Sequence, residues 1–248
     1  MSEREKGTYF EELMLCYLRN EATYRDLYSE VWTYGEWAAL HAAGVVSFED
    51  ALRVLRARGK FMQEACTATP GGMLTIIGLT LDKAQEVARA AGLEVANLNS
   101  PVQTVLSGHA DRIAAGEAAA KAAGAKRALR LTVAGAFHSS LMQPAADRLA
   151  DFLETIEFRA PQRPVWSNGT GKPHTPPDEN RRRMVAQVVS SVRWTDCFAD
   201  MAAAGMTVGF ECGPGAVLAG LGKRIVPEAA VASIFDLAGA QEAAKLAQ

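Results

Sequence analysis

Residues 71–133 read GGMLTIIGLTLDKAQEVARAAGLEVANLNSPVQTVLSGHADRIAAGEAAAKAAGAKRALRLTV. The hydrophobic period changes several times along this stretch. Met73-Leu74-Thr75-Ile76-Ile77 is an apolar, β-branched run of strand length. Asp82 to Ala91 has helical spacing and stops at Gly92, which closes a helix in the left-handed conformation without a Cβ penalty. Leu93–Leu98 and Val102–Leu106 read as strands with Asn99-Ser100-Pro101 turning between them. Ala110–Ala123 is a second helix ending at Gly124, and Ala128–Val133 a further strand. The order β-α-β-β-α-β is that of a ferredoxin-like layered unit.

The flanking sequence belongs to a different body. Residues 36–68 carry a helical pattern, and Ser47-Phe48-Glu49-Asp50 offers Ser47 as an N-cap with Asp50 three positions on. Residues 140–158 place Leu141, Met142, Ala145, Leu149, Phe152, Leu153 and Ile156 at amphipathic-helix spacing. Pro161-Gln162-Arg163-Pro164 breaks that pattern, and Val165-Trp166-Ser167 is a short strand. The proline-rich stretch His174–Asp178 reads as a loop, with helices over 184–192 and 196–204. Thr207–Glu211 is a strand that Gly213-Pro214-Gly215 turns into a helix over 216–224. A strand, a glycine turn and a helix mark an α/β fold. The division that follows is a large domain from 31–70 and 134–248, with 71–133 inserted as a small subdomain. Residues 1–30 are an atypical polar, helical segment with scattered aromatics.

Composition narrows the function classes. Of 248 residues, 49% are apolar and the net charge is −2, as in a folded protein with no bulk attraction to nucleic acid. No apolar run is long enough to span a bilayer, and the charged N-terminus has no apolar core behind it to make a secretory signal. Cys16, Cys66, Cys197 and Cys212 form no Cys-x-x-Cys pair, so no metal site is expected. A reduced, cytoplasmic protein is the plain reading.

Three sites could carry chemistry. His138, in Gly135-Ala136-Phe137-His138-Ser139, follows a strand and precedes a helix, where α/β folds place functional loops. A histidine there can exchange a proton near neutral pH, or it can simply cap the next helix. Arg58, in Arg56-Ala57-Arg58-Gly59-Lys60, offers a planar fork for a carboxylate, or it lies on a solvated helix face. Gly215 to Lys223 invites a phosphate-loop reading, but that motif needs lysine at 221, where Leu221 stands. The glycine turn is then a turn that can also bring backbone groups towards His138.

In sequence order, these pieces resemble malonyl-CoA:acyl carrier protein transacylases. Gly35-Glu36-Trp37-Ala38-Ala39-Leu40, Ala43-Gly44-Val45 and Ser47–Leu52 resemble the segment after the family's nucleophile. Arg58–Gln63 resembles the helix of the carboxylate-binding arginine. Asn97–Pro101 with Val105–Gly108 resembles the small-subdomain hairpin. Gly135–Ser139 and Leu141–Ala145 resemble the catalytic-histidine segment, and Ser191–Trp194 and Glu211–Gly215 complete the order over about residues 34–235. The resemblance implies an α/β-hydrolase-like large domain with an inserted ferredoxin-like subdomain. It also implies ping-pong transfer of malonyl from coenzyme A to the phosphopantetheine thiol of acyl carrier protein. His138 would be the base, Arg58 the carboxylate anchor and Phe137 a bulky wall disfavouring a 2-methyl group. The carbonyls of Glu211-Cys212-Gly213 would orient the His138 ring. Malonyl-CoA and the carrier are the partners implied, with the thioester as substrate and no cofactor. Lys126-Arg127, Arg130 and Arg181-Arg182-Arg183 could steer an acidic carrier, or be ordinary surface charge.

Two positions depart from the family pattern. Residues 1–30 hold no glutamine and a single glycine, Gly7, so the family's first strand and Gly-Gln-Gly loop have no counterpart there. Where the family reads Gly-His-Ser-x-Gly-Glu, this chain reads Val31-Trp32-Thr33-Tyr34-Gly35-Glu36, placing Thr33 at the serine position. The family's elbow is a sharp, strained turn, and a β-branched residue is poorly suited to it. The alternative function is therefore a catalytically impaired or truncated relative that binds acyl-CoA or a carrier without turnover. A further alternative is that another chain supplies the missing elements.

Overall fold

In the computed structural model, which describes residues 31–174, 176–213, 215–234 and 236–246, the inserted unit is built round strand β1 (Gly71–Ile77). The reading of residues 1–30 lies outside the described residues. Helix α3 (Leu81–Ala91) ends at Gly92, whose φ of 66° closes the helix in the left-handed region. Strands β2 (Glu94–Ser100) and β3 (Gln103–His109), helix α4 (Ile113–Ala122) and strand β4 (Arg127–Arg130) follow. The sheet order is β2-β3-β1-β4, antiparallel throughout, with Leu74 opposite Leu106 and Thr75 opposite Leu129. This is the arrangement expected from the β-α-β-β-α-β reading.

Alternation along β1 and β3 divides the sheet between two cores. Leu74, Ile76 and Leu106 pack with Val87, Ala88, Ala91, Ile113 and Ala120 under α3 and α4. Met73, Ala96 and Val105 join the core of the large domain. Both faces are therefore covered, which is why the strand sequence is nearly continuously apolar.

In the large domain, α1 (Val31–Ala42) and α2 (Phe48–Ala68) come first. Ser47 Oγ accepts from Asp50 N at 3.0 Å, the expected N-cap. Helix α5 (Gln143–Leu153) packs on α2, and Trp37, Leu40, Val54, Leu149, Leu153 and Ile156 form the centre of the core. Each such side chain contributes roughly 1.5–3 kcal/mol of transfer free energy. Beyond the short pair β5 (Trp166–Ser167) and β6 (Lys172–Pro173), helix α6 runs Pro177–Ala186. The helix assigned to 184–192 therefore starts earlier and ends earlier than its sequence pattern indicates. Pro177 occupies its first position, where a missing N–H costs nothing, so proline here starts a helix rather than excluding one.

Helix α7 (Trp194–Ala203) leads to β7 (Val208–Cys212), α8 (Val217–Ile225), β8 (Ala230–Ile234) and α9 (Leu237–Leu246). β7 and β8 pair in parallel. The Glu211 carboxylate accepts from Leu218 N at 3.0 Å and Ala219 N at 2.9 Å, placing negative charge on the N-terminus of α8. The two units are joined at β2: Val192 N donates to Ala96 O and Leu98 N to Val192 O, both at 2.8 Å. Thr195 Oγ1 adds a bond to Leu98 O at 2.9 Å. No helix among the described residues is long and apolar enough to cross a membrane.

Candidate functional site

His138 is the only non-glycine residue with positive φ among the described residues, at 56°. An L-residue there carries a cost of roughly 1–2 kcal/mol, so the surroundings must hold it in place. They do so tightly. Ala136, Phe137, His138 and Ser139 are all buried. Ser139 Oγ donates to Ala136 O at 2.6 Å, closing the turn. On the far side, the Glu94 carboxylate receives Ser140 N at 3.1 Å and Ser140 Oγ at 2.6 Å. A strand of the inserted unit therefore holds the residues just after the histidine.

The chain reaches this turn through a narrow gap. A Cβ built on Gly135 would lie 2.2 Å from Cys66 Sγ, and one on Gly71 2.5 Å from Ala136 N. Gly135 lets the histidine segment pass directly against α2. The same helix carries Arg58, which sits in its buried stripe with Ala51, Val54, Leu55, Met62, Ala65 and Cys66. Arg58 is 2% exposed, so the solvated-face alternative is ruled out. Phe137 is 1% exposed and lies in the main core with Trp37 and Met142.

The ring of His138 is oriented from an unexpected direction. Its Nδ1 lies 3.1 Å from the carbonyl oxygen of Gln187. A carbonyl only accepts, so Nδ1 carries the proton in this bond and the neutral ring keeps its lone pair on Nε2. The expectation that Glu211-Cys212-Gly213 orients the ring is corrected here: Gln187 O holds Nδ1, while the Glu211 carboxylate caps α8 and Glu211 and Cys212 pair with β8. Gln187 is the C-cap of α6. The last carbonyls of a helix have no partner within it and form its negative end, which stabilises positive charge on a ring held there. No residue-type signal marks a backbone carbonyl, so the sequence could not single out Gln187.

Thr33 is the third residue of α1. The sharp turn of the family's elbow, to which a β-branched residue is poorly suited, is not formed at this position. The backbone there is helical, and the strained residue is His138 instead. One turn further on is a residue whose role the motif did not convey. Glu36, 4% exposed, receives His174 Nε2 on Oε1 at 2.9 Å and Asn168 N on Oε2 at 3.3 Å. His174 Nδ1 lies 2.9 Å from Asn180 Oδ1. Beside this group Cys197 Sγ donates to Ser167 O at 3.3 Å. Burial, reinforced by the negative charge of Glu36, pushes the Cys197 thiol up to about 12, which makes it a structural rather than a nucleophilic cysteine. The described residues hold no group of three or more metal-ligating side chains.

Comparison with known proteins agrees with this architecture. Residues 33–244 match the model of the acyl transferase domain. The malonyl CoA-acyl carrier protein transacylase of Escherichia coli K12 is 47% identical over 196 residues, covering 77% of this chain and 63% of the relative. The chain thus spans less than two thirds of that protein's length. The crystal structure of an acyl-carrier-protein S-malonyltransferase from Burkholderia pseudomallei superposes with a TM-score of 0.81 at 41% identity, over 85% of this chain and 70% of that one. A malonyl-transacylase solved in complex with a type II polyketide acyl-carrier protein gives 0.79 at 41% identity, with the same coverage. With its fold, its buried histidine turn and these likenesses in agreement, the chain belongs to the acyl transferase domain family.

Proposed function

We propose that this chain serves transfer of a malonyl group from malonyl-CoA to the phosphopantetheine thiol of acyl carrier protein. The observation that carries the reading is the His138–Gln187 bond, which holds Nδ1–H and leaves Nε2 as a base. In the forward half-reaction a hydroxyl oxygen attacks the thioester carbonyl while Nε2 takes its proton. Collapse of the tetrahedral species breaks the C–S bond, and the proton passes to the departing thiolate of coenzyme A. The second half-reaction reverses these steps with the carrier thiol as attacking group. Thr33 is the hydroxyl at the family position, Arg58 would grip the malonyl carboxylate with two parallel hydrogen bonds, and Phe137 would wall off a 2-methyl group. The thioester chemistry needs no metal or cofactor, and a cytoplasmic setting fits it. The division into residues 31–70 with 134–248, and 71–133, belongs to the same reading. For carrier docking, Arg182 is the exposed member of its cluster, since Arg183 is turned to Glu179 at 2.5 Å and Arg181 to Ile156 O.

A second reading, binding without turnover, is favoured by one observation: Thr33, a β-branched residue, lies within a regular helix. Incubation with radiolabelled malonyl-CoA separates the two. A covalent adduct lost in Thr33→Ala supports transfer. Calorimetric binding without an adduct, in the natural chain and in Thr33→Ser alike, supports the binding reading and overturns the first.

A further inference from the structure

Glu36, His174 and Asn180 form a buried polar chain that the proposed transfer does not use. The side chains of His174 and Glu36 are 0% and 1% exposed, and Asn180 is 0% exposed. Placing three polar groups in a core is costly unless they bond one another, and these do, at 2.9 Å in both links. The chain is also well placed to act on the site. Glu36 stands one helical turn beyond Thr33 in α1. Asn180 stands in the first half of α6, and Gln187, at its C-cap, is two turns further along the same face. Gln187 in turn holds His138.

The rigidity of α6 therefore decides where the Gln187 carbonyl lies. The Gln187 side chain is 2% exposed, and its amide nitrogen has no hydrogen-bond partner among the described residues. Its own polar end does not anchor it. The N-terminal half of α6 is anchored, through Asn180 and His174, to the helix bearing the nucleophile position. Asn168 N on the second oxygen of Glu36 adds the β5–β6 segment to the same node.

We infer that Glu36, His174 and Asn180 are positioning residues that set the distance and tautomer of His138 by fixing α6, and with it the Gln187 carbonyl, against α1. The significance of the inference rests on the transfer reading, in which His138 is the base, but its test reads the ring directly and needs no turnover, so the two can fail separately. The imidazole nitrogens of His138 are read by ¹⁵N-resolved NMR in the full chain, assigned with His138→Asn. The natural chain is expected to show the Nδ1–H form. His174→Ala and Asn180→Ala are expected to give a mixture in which the share of that form falls several-fold. Glu36→Gln, which keeps an acceptor oxygen for His174, is expected to retain the natural signature. Leu106→Ala, in the separate core under α3 and α4, serves as the loosening control and is expected to leave His138 unchanged. An unchanged His138 spectrum in folded Asn180→Ala overturns the inference. So does an equal change in Leu106→Ala, which would mean that the signal reports general loosening. Should His174→Ala not fold, Asn180→Ala against Leu106→Ala decides the matter.

Discussion

His138 Nδ1 donates to the main-chain carbonyl of Gln187, forty-nine residues further along the chain, at 3.1 Å. Because the acceptor is backbone, side-chain replacement at 187 should leave the ring in place. Gln187→Ala is expected to keep the Nδ1–H form of His138 while losing some packing stability, whereas Gln187→Pro should disturb both. Ring NMR alongside urea unfolding distinguishes the two effects.

The left-handed backbone at His138 ranks its substitutions. Asparagine tolerates this conformation and alanine does not. His138→Asn is therefore expected to be more stable than His138→Ala by about 1 kcal/mol, although both lose the imidazole. Urea denaturation midpoints at constant m-value measure the difference.

At Gly135 the neighbour across the gap is Cys66 Sγ. Gly135→Ala forces that contact apart and is expected to cost about 1–3 kcal/mol. Cys66→Ala removes the sulfur, so the double variant should be more stable than the sum of the two single effects. A double-mutant cycle with a coupling near zero would rule out the close approach as the reason for glycine.

The Cys197 thiol gives a pH dependence of definite sign. Its usual value is 9.0, and burial pushes it up to about 12 in the fold. Between those values the unfolded chain releases a proton that the folded chain keeps. Stability is therefore whole below about pH 9 and falls as pH rises, by about 1.4 kcal/mol per pH unit from this group. Cys197→Ala should flatten that alkaline slope in unfolding experiments. In the native state alkylating reagents should modify Cys212, which is exposed, ahead of Cys66 and Cys197, as peptide mapping would reveal.

Arg58 should matter to charge rather than to bulk. If its fork meets the malonyl carboxylate, Arg58→Lys is expected to weaken malonyl-CoA binding by about 1.5–3 kcal/mol. Acetyl-CoA, which lacks that carboxylate, should bind the two proteins alike. Titration calorimetry with both thioesters provides the comparison.

Short-range signals are legible in the sequence. Ser47 as N-cap, Gly92 as C-cap and the alternation through β1 each depend on a few neighbouring residues, and each is found in place. The acyl transferase family could be recognised from motif order, which the match over residues 33–244 supports. What escaped depends on contacts between distant parts of the chain or on the backbone. The Gln187 carbonyl has no residue signature. Glu36 and His174, 138 residues apart, look like two separate polar side chains until the fold joins them. Pro176 and Pro177 disguised the start of α6, because proline ends a helix from inside but suits its first turn.

The sheet of the inserted unit is a party wall. Met73, Ala96 and Val105 on one side belong to the large domain's core, while Leu74, Ile76 and Leu106 on the other belong to the insert's own. Excising residues 71–133 would leave the larger body with an open interior, and grafting in a foreign unit of the same topology would fail unless its inward-facing residues matched. Odd-numbered positions of β1 should therefore vary in step with the helices of the large domain, and even-numbered ones with α3 and α4. The insert can diverge freely only on the half of each strand that it owns.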